Sequence, residues 1–172
     1  TRQDEDGDRW LTAQARKLRA PGLIVFAFTT AFASFDWIMS LDHHWFSTMF
    51  GVYFFAGNMV STLALGLLVL IALRFFGRLH GAFTPEHMHD LSKLLFGFTV
   101  FWAYISFSQY FLIWYANIPE ETAWFLHRKQ GQWAVMAWII PIGHFIIPFL
   151  WLLPRPGRRS TGPVAIACVW IL

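Results

Sequence analysis

Hydrophobic positions along the chain form long continuous runs and do not alternate with polar positions. Four long runs are followed by a shorter one: Gly22–Leu41, Thr48–Phe76, Leu94–Ile118, Trp133–Leu153 and Val164–Leu172. About 18 or more mainly apolar residues in helical form match the roughly 30 Å hydrocarbon core of a bilayer. The pattern therefore predicts an all-α, polytopic transmembrane helical bundle over residues 21–172, with four full spans and the start of a fifth.

The first 20 residues and the connections between the runs are polar. Residues 1–20 mix acidic and basic side chains with good helix formers, which predicts a polar segment containing a short surface helix. Thr84 before Pro85 is typical of an N-cap followed by the first helical residue. Pro141 and Pro148 within the fourth run predict a kink. Because about nine apolar residues cannot cross a bilayer, we expect the sequence to be an internal piece of a longer protein.

Composition agrees with a membrane protein and narrows the chemistry. Of the 172 residues, 56% are hydrophobic and 13% are charged, against about 25% charged in soluble domains. The net charge of +3 comes from Lys and Arg in connections between spans, so no nucleic-acid partner is expected. The single cysteine, Cys168, excludes an internal disulfide and a thiolate metal site.

Basic residues are divided unequally between the two ends of the spans. Eleven of the 13 Lys and Arg residues fall in residues 1–20, in the connection between the second and third spans, and in the last loop. The opposite end holds only Arg128 and Lys129. The positive-inside rule therefore predicts a multi-pass protein with its N-terminal segment in the cytoplasm.

Ionisable residues at membrane depth are costly, which makes them the first candidates for function. Asp36 lies about five residues inside the outer end of the first span, roughly 8 Å along the helix axis. It is a proton-transfer candidate, or else an interfacial residue that reaches water or caps a neighbouring helix. His144 lies near the middle of the fourth span. It is a candidate for proton transfer or for a hydrogen bond to a quinone, or else it is a histidine that only packs against its neighbours. Haem bound between two histidines is not expected, because the four spans contain no second histidine at mid-depth.

Polar side chains also form a stripe along the third span. Ser106, Gln109 and Tyr110 follow one another at helical spacings of three and four, which places them on one face. Together with Asn58 on the second span, they are candidates for quinone contacts or for a hydrated path. The alternative is that they hold neighbouring helices together by hydrogen bonds.

The remaining ionisable residues lie in the connections. Glu120 and Glu121 follow the third span as a like-charge pair and are proton-transfer candidates. The second connection is rich in histidine but lacks a recognised metal-ligand spacing, so a solvated loop and no metal site are predicted. The sequence contains no P-loop, G-x-G-x-x-G, H-E-x-x-H or C-x-x-C motif.

Three separated segments resemble one known family. Residues 35–48 (FDWIMSLDHHWFST) are similar to the signature of the ActF-type membrane subunit of bacterial alternative complex III, a quinol:cytochrome c oxidoreductase. Residues 89–96 (HDLSKLLF) and 111–122 (FLIWYANIPEET) extend the resemblance. The likeness covers about residues 20–153 and places the chain in the later half of such a subunit.

The resemblance implies an NrfD-like helical bundle in the bacterial inner membrane. It implies partner subunits that carry Fe–S clusters and haem c, and a homologous NrfD-like subunit. It also implies that this non-catalytic chain contributes to handling menaquinol or ubiquinol, or to proton translocation, during electron transport. Two alternatives remain open: a secondary transporter, which requires an inverted repeat and broken helices, and a structural membrane anchor for redox subunits.

Overall fold

A computed structural model describes residues 9–79 and 81–172. The residues before Arg9, which include much of the predicted polar segment, lie outside the described residues, as does His80. Throughout the described ranges the chain is helical with short connections and contains no strand. Four helices are long and apolar enough to cross a membrane, which confirms the predicted all-α class and a membrane-embedded chain.

The helices follow one another in a simple order. They are α1 (Arg9–Trp37), a 3₁₀ turn (Met39–Leu41), α2 (Phe50–Phe75), α3 (Pro85–Ala116), α4 (Pro119–Arg128), α5 (Gln132–Ile139), a π-helical segment (Ile140–Ile146), α6 (Ile147–Leu152), α7 (Arg155–Arg159) and α8 (Thr161–Ile171). The run from α5 to α6 forms the fourth candidate span. The short helices α4 and α7 lie at opposite ends of the bundle. These ends are named the α4 end and the α7 end.

The first span differs from the sequence prediction at its start. Helix α1 continues through Pro21 without a break, so the described part of the polar segment and the span form one helix of 29 residues. At 1.5 Å per residue this helix is about 44 Å long, which exceeds the roughly 30 Å hydrocarbon core. Its polar first turns therefore extend beyond the hydrocarbon and need no separate surface helix.

Helix α3 begins where the sequence predicts. The Thr84 hydroxyl accepts a hydrogen bond from the His87 backbone N–H at 3.4 Å, and Pro85 is the first helical residue. The His87 ring in turn accepts from the Thr84 N–H at 3.2 Å, which completes a capping box. Helix α3 has 32 residues and is about 48 Å long, so its polar first turns lie outside the hydrocarbon core.

Helix α2 lies at the centre of the bundle and contacts α1, α3 and α8. Its buried positions are mostly small or aliphatic: Gly51, Ala56, Val60, Ala64 and Leu67. Small residues allow helix backbones to approach closely where apolar burial gives little preference over lipid. Many large apolar side chains on the outside remain exposed, among them Phe28, Phe32, Leu65 and Trp138, as expected of surfaces that contact lipid or other membrane helices.

The fourth span is irregular at the position that its prolines predict. Residues Ile140–Ile146, which include Pro141 and end shortly before Pro148, form a π-helical segment, and the Ile147 N–H donates to the Ile142 carbonyl five residues earlier. The Trp170 indole of α8 donates to the Gly143 carbonyl at 2.7 Å. This bond from another helix satisfies a backbone carbonyl inside the irregular segment, which matters because the hydrocarbon core offers no water as a hydrogen-bond partner.

Candidate functional site

The described residues form a small pocket at the α4 end of the bundle. Its volume is about 170 Å³. The last turns of α3 supply one wall and α4 with the following residue supplies the other; the lining is Tyr110, Ile113, Trp114, Asn117, Thr122, Phe125, Leu126 and Lys129. We call this site the α3–α4 pocket. It combines an aromatic and aliphatic lining with a few polar groups, which is typical of small-molecule sites.

The pocket depends on a sharp reversal between the two helices. Asn117 caps α3 in the left-handed conformation, with φ 51° and ψ 37°. Pro119 then occupies the first turn of α4, where a missing backbone N–H costs nothing. The Thr122 hydroxyl donates to the Ile118 carbonyl at 3.1 Å and so ties α4 to the reversal. Together these local preferences fold α4 back against the end of α3.

Two polar groups meet beside the pocket's aromatic lining. The Lys129 amine donates a 3.0 Å hydrogen bond to the Tyr110 hydroxyl oxygen and lies 5.3 Å from the centre of the Tyr110 ring. The ring of Phe125 meets the Tyr110 ring edge-on at 5.2 Å between centres. The Tyr110 O–H accepts from a cation, so its own proton remains available for donation to a ligand.

The two predicted carboxylates lie next to this pocket without lining it. Glu120 and Glu121 occupy the first turn of α4, where a helix dipole favours negative charge. Glu120 is exposed and Glu121 is half-buried. Within residues 9–79 and 81–172, neither carboxylate forms an ion pair. Both carboxylates are therefore without an ion-pair partner in the described part of the chain, immediately before the α4 residues that line the pocket.

His144 forms a second group of functional candidates, at mid-depth. Its half-buried ring meets the Trp102 indole edge-on, with ring centres 4.9 Å apart. Tyr53 of α2 lies on Trp102 at 5.7 Å between ring centres. A Cβ on Gly57 would stand 3.6 Å from the same indole, so α2 approaches α3 closely here. The arrangement brings the titratable imidazole of His144 and the phenol of Tyr53 into one otherwise apolar layer.

The polar stripe of α3 connects these two groups. Trp102 and Tyr110 are eight residues apart, which is roughly 12 Å along the axis. Ser106 and Gln109 lie between them, and Gln109 is buried with 8% exposure. The Ser106 hydroxyl is buried and has no hydrogen-bond partner among the residues that the structure describes. A buried hydroxyl without a partner is costly and marks a place for water or a ligand atom.

Two predicted candidates lie apart from both groups. Asp36 is exposed in the last turn of α1, and its backbone carbonyl accepts from the Ser40 hydroxyl. Asn58 is half-buried on α2. Gly51 and Phe55 of α2 contact α1, and Asn58 follows them at helical spacing. Asn58 therefore belongs to the side of α2 that faces α1, away from the α3 stripe.

Other parts of the described chain offer less chemistry. No three His, Cys, Asp or Glu side chains in the described ranges lie close enough to hold a metal ion. A groove of about 430 Å³ runs along α8, but Ala165, Ile166, Val169 and Trp170 form its lining. It has no titratable group.

The sequence did not assign roles to Lys129, Tyr53 or Trp102. Nothing in the sequence distinguishes Lys129 from an ordinary surface charge. Its contact with Tyr110 joins residues 19 positions apart and depends on helix α4, which the sequence does not predict. Tyr53 and Trp102 resemble the many other aromatic residues of the chain, and nothing in their spacing distinguishes them from packing residues.

No protein-family model matches the chain, and no curated protein matches it significantly.

Proposed function

We propose that the chain is an ActF-type membrane subunit of a bacterial quinol:cytochrome c oxidoreductase and that the α3–α4 pocket binds the quinol head group. The observation that carries this proposal is the hydrogen bond between Lys129 and Tyr110 at the edge of an aromatic pocket. The similarity of residues 35–48, 89–96 and 111–122 to that family supports the proposal independently.

The pocket suits a quinone ring in size and in chemistry. An apolar cavity of about 150 Å³ accommodates one benzene ring, and the α3–α4 pocket has about 170 Å³. Trp114 and Phe125 offer aromatic faces, while Tyr110 and Lys129 offer hydrogen-bond donors for a quinone oxygen. Ubiquinone and menaquinone both present a planar quinone ring with two oxygens, and the second fused ring of menaquinone would lie outside this single-ring volume.

Quinol oxidation releases two electrons and two protons. Fe–S and haem c groups in partner subunits take the electrons in this proposal, and the described chain holds and moves protons. The Tyr110 hydroxyl holds a quinol oxygen in place, and the carboxylates of Glu120 and Glu121 accept the released protons through water. The α3 stripe and His144 form a second proton route, toward mid-depth. We place the α4 end at the periplasmic face of the bacterial inner membrane, because the basic residues favour a cytoplasmic α7 end.

Quinol turnover of the assembled complex tests the pocket. Tyr110→Phe removes only the hydroxyl, and loss of a hydrogen bond to the reacting quinol should lower kcat/KM about tenfold or more. Tyr115→Phe is the matched control, since Tyr115 lies on the same helix, is 76% exposed and stacks on Phe111. Equal turnover of both variants in fully assembled complexes would contradict quinol binding at this pocket.

Labelling of introduced cysteines tests the orientation. Cys168→Ala gives a background without cysteine, because the chain has a single Cys. In this background Gln130→Cys should react with a membrane-impermeant thiol reagent from the periplasm, and Ser160→Cys should react only after the membrane is opened. The reverse pattern would contradict the proposed orientation.

Two alternative functions remain distinguishable from this proposal. A secondary transporter needs two broken helices in related positions, whereas Ile140–Ile146 is the single π-helical interruption in the described spans. A purely structural anchor would purify with haem c and Fe–S subunits, but its Tyr110→Phe variant would keep full quinol turnover.

A further inference from the structure

The α7 end carries a polar surface that the proposed quinol function does not use. Helix α7 packs across the first turns of α3. The Arg158 guanidinium carbon lies 5.6 Å from the centre of the Phe96 ring, and Arg159 forms an ion pair with Glu86. His89 and Ser92 lie on the same part of α3, one turn and two turns after Glu86. We call these residues, with Lys93, the α3–α7 surface.

Three polar atoms of this surface are buried and unpaired. The His89 Nδ1, the Ser92 hydroxyl and the Arg158 Nε have no hydrogen-bond partner in the described part of the chain. Ser92 is fully buried. An unpaired buried polar group destabilises the fold, and a charged group does so more than a neutral one. The Arg158 Nε–H can only donate, so this guanidinium lacks an acceptor that the described part of the chain does not supply.

The local charges favour an anion as that acceptor. Both carboxylates of the surface are already paired, Glu86 with Arg159 and Asp90 with Lys93 at 3.0 Å. No described carboxylate lies within 4 Å of the Arg158 guanidinium. Arg158 uses its Nη2 to donate to the Leu153 carbonyl at 3.1 Å, which leaves its remaining N–H groups for a ligand. A guanidinium fork matches the oxygens of a phosphate group.

The position and surroundings of the surface favour a lipid phosphate over a free one. The first turns of α3 extend beyond the hydrocarbon core, which is where phospholipid headgroups lie. Trp151 and Leu153, just before α7 in the chain, are 44% and 49% exposed, so acyl chains have an apolar surface to follow. We propose that the α3–α7 surface binds the headgroup phosphate of an anionic phospholipid, with the half-buried Arg158 and His89 as its contacts.

Native mass spectrometry of the full-length chain in detergent tests this site. After removal of co-purified lipid, phosphatidylglycerol and phosphatidylcholine are titrated separately, and inorganic phosphate is added as a competitor. We expect phosphatidylglycerol to bind at least tenfold more tightly than phosphatidylcholine. Inorganic phosphate at equal concentration should leave the bound lipid in place. Comparable affinity for both lipids, or displacement by inorganic phosphate, would overturn the proposal.

Variants locate the binding within the chain. Arg158→Lys keeps the charge but removes the guanidinium fork, so phosphatidylglycerol should bind about tenfold more weakly. Arg74→Lys is the matched control at the same end of the bundle and should bind normally. His89→Ala serves as a second variant and should weaken binding about threefold, even if Arg158→Lys lowers the yield of folded protein. Unchanged affinity in both test variants, or an equal loss in the Arg74→Lys control, would refute the site.

Discussion

The indole of Trp124 stacks on the indole of Trp45, with ring centres 4.6 Å apart and planes 18° from parallel. The Arg128 guanidinium carbon lies 3.4 Å from the centre of the Trp124 ring, so Trp124 is held between Trp45 and Arg128. Burial lowers the pKa of Arg128, while the Asp42 carboxylate acts to raise it. An arginine side chain nevertheless stays charged in proteins. The stack therefore joins the α1–α2 connection to α4, beside the α3–α4 pocket.

Removal of this stack should destabilise the α4 end. Trp124→Leu loses an aromatic pair and a cation–π contact, which together contribute about 1–2.5 kcal/mol. Unfolding by a denaturing detergent, followed by helical circular dichroism, measures the difference. Trp133→Leu is the control, because Trp133 is 61% exposed and has no ring contact with the described residues. Equal stability of the two variants would show that the stack adds nothing to folding.

Close packing of α1 against α2 gives a second prediction. A Cβ on Gly51 would stand 2.8 Å from both the Ala31 Cβ and the Phe35 Cζ, so Gly51→Ala should cost about 1–3 kcal/mol by overpacking. Gly66 lies on the same helix with nothing within 4 Å of its Cβ position. Gly66→Ala should therefore leave stability unchanged or raise it by up to about 1 kcal/mol. Thermal unfolding in detergent measures the change in stability of each variant. Lower stability of both variants would contradict this account of the packing.

The sequence predicted the spans well because hydrophobic thickness depends on local composition alone. The same holds for the Thr84 cap and for the irregular fourth span, since both follow from proline and its neighbours. It predicted Tyr110 as a candidate but missed Lys129, because that partner depends on how α4 folds back. The sequence could not place Asn58 on the side of α2 that faces α1, because the rotation of a helix about its own axis is set by packing rather than by hydrophobicity.

The hydrogen bond from Trp170 to Gly143 should hold the π-helical segment in place. Trp170→Phe keeps an aromatic ring but removes the indole N–H, so the carbonyl loses a bond that contributes about 0.5–1.5 kcal/mol. Amide hydrogen exchange should accelerate about threefold to tenfold within residues 140–147. Trp138→Phe, at an exposed position of α5, should leave this exchange unchanged. Acceleration by both variants would indicate a general loss of stability and not the loss of this bond.

Asp36 gives the sharpest test of proton handling at membrane depth. Asp36→Asn keeps the size of the side chain and removes its charge, and loss of a proton carrier lowers rates by about 10²–10⁴-fold. If Asp36 handles protons, which is one of the two roles that the sequence leaves open, quinol turnover of the assembled complex across a range of pH falls by at least tenfold and changes its pH profile. Asp42→Asn is the control, because Asp42 lies in the connection and its Oδ1 accepts from the His44 N–H, a bond that Asn can also accept. A fully assembled Asp36→Asn complex with normal turnover at every pH would instead assign Asp36 an interfacial, structural role.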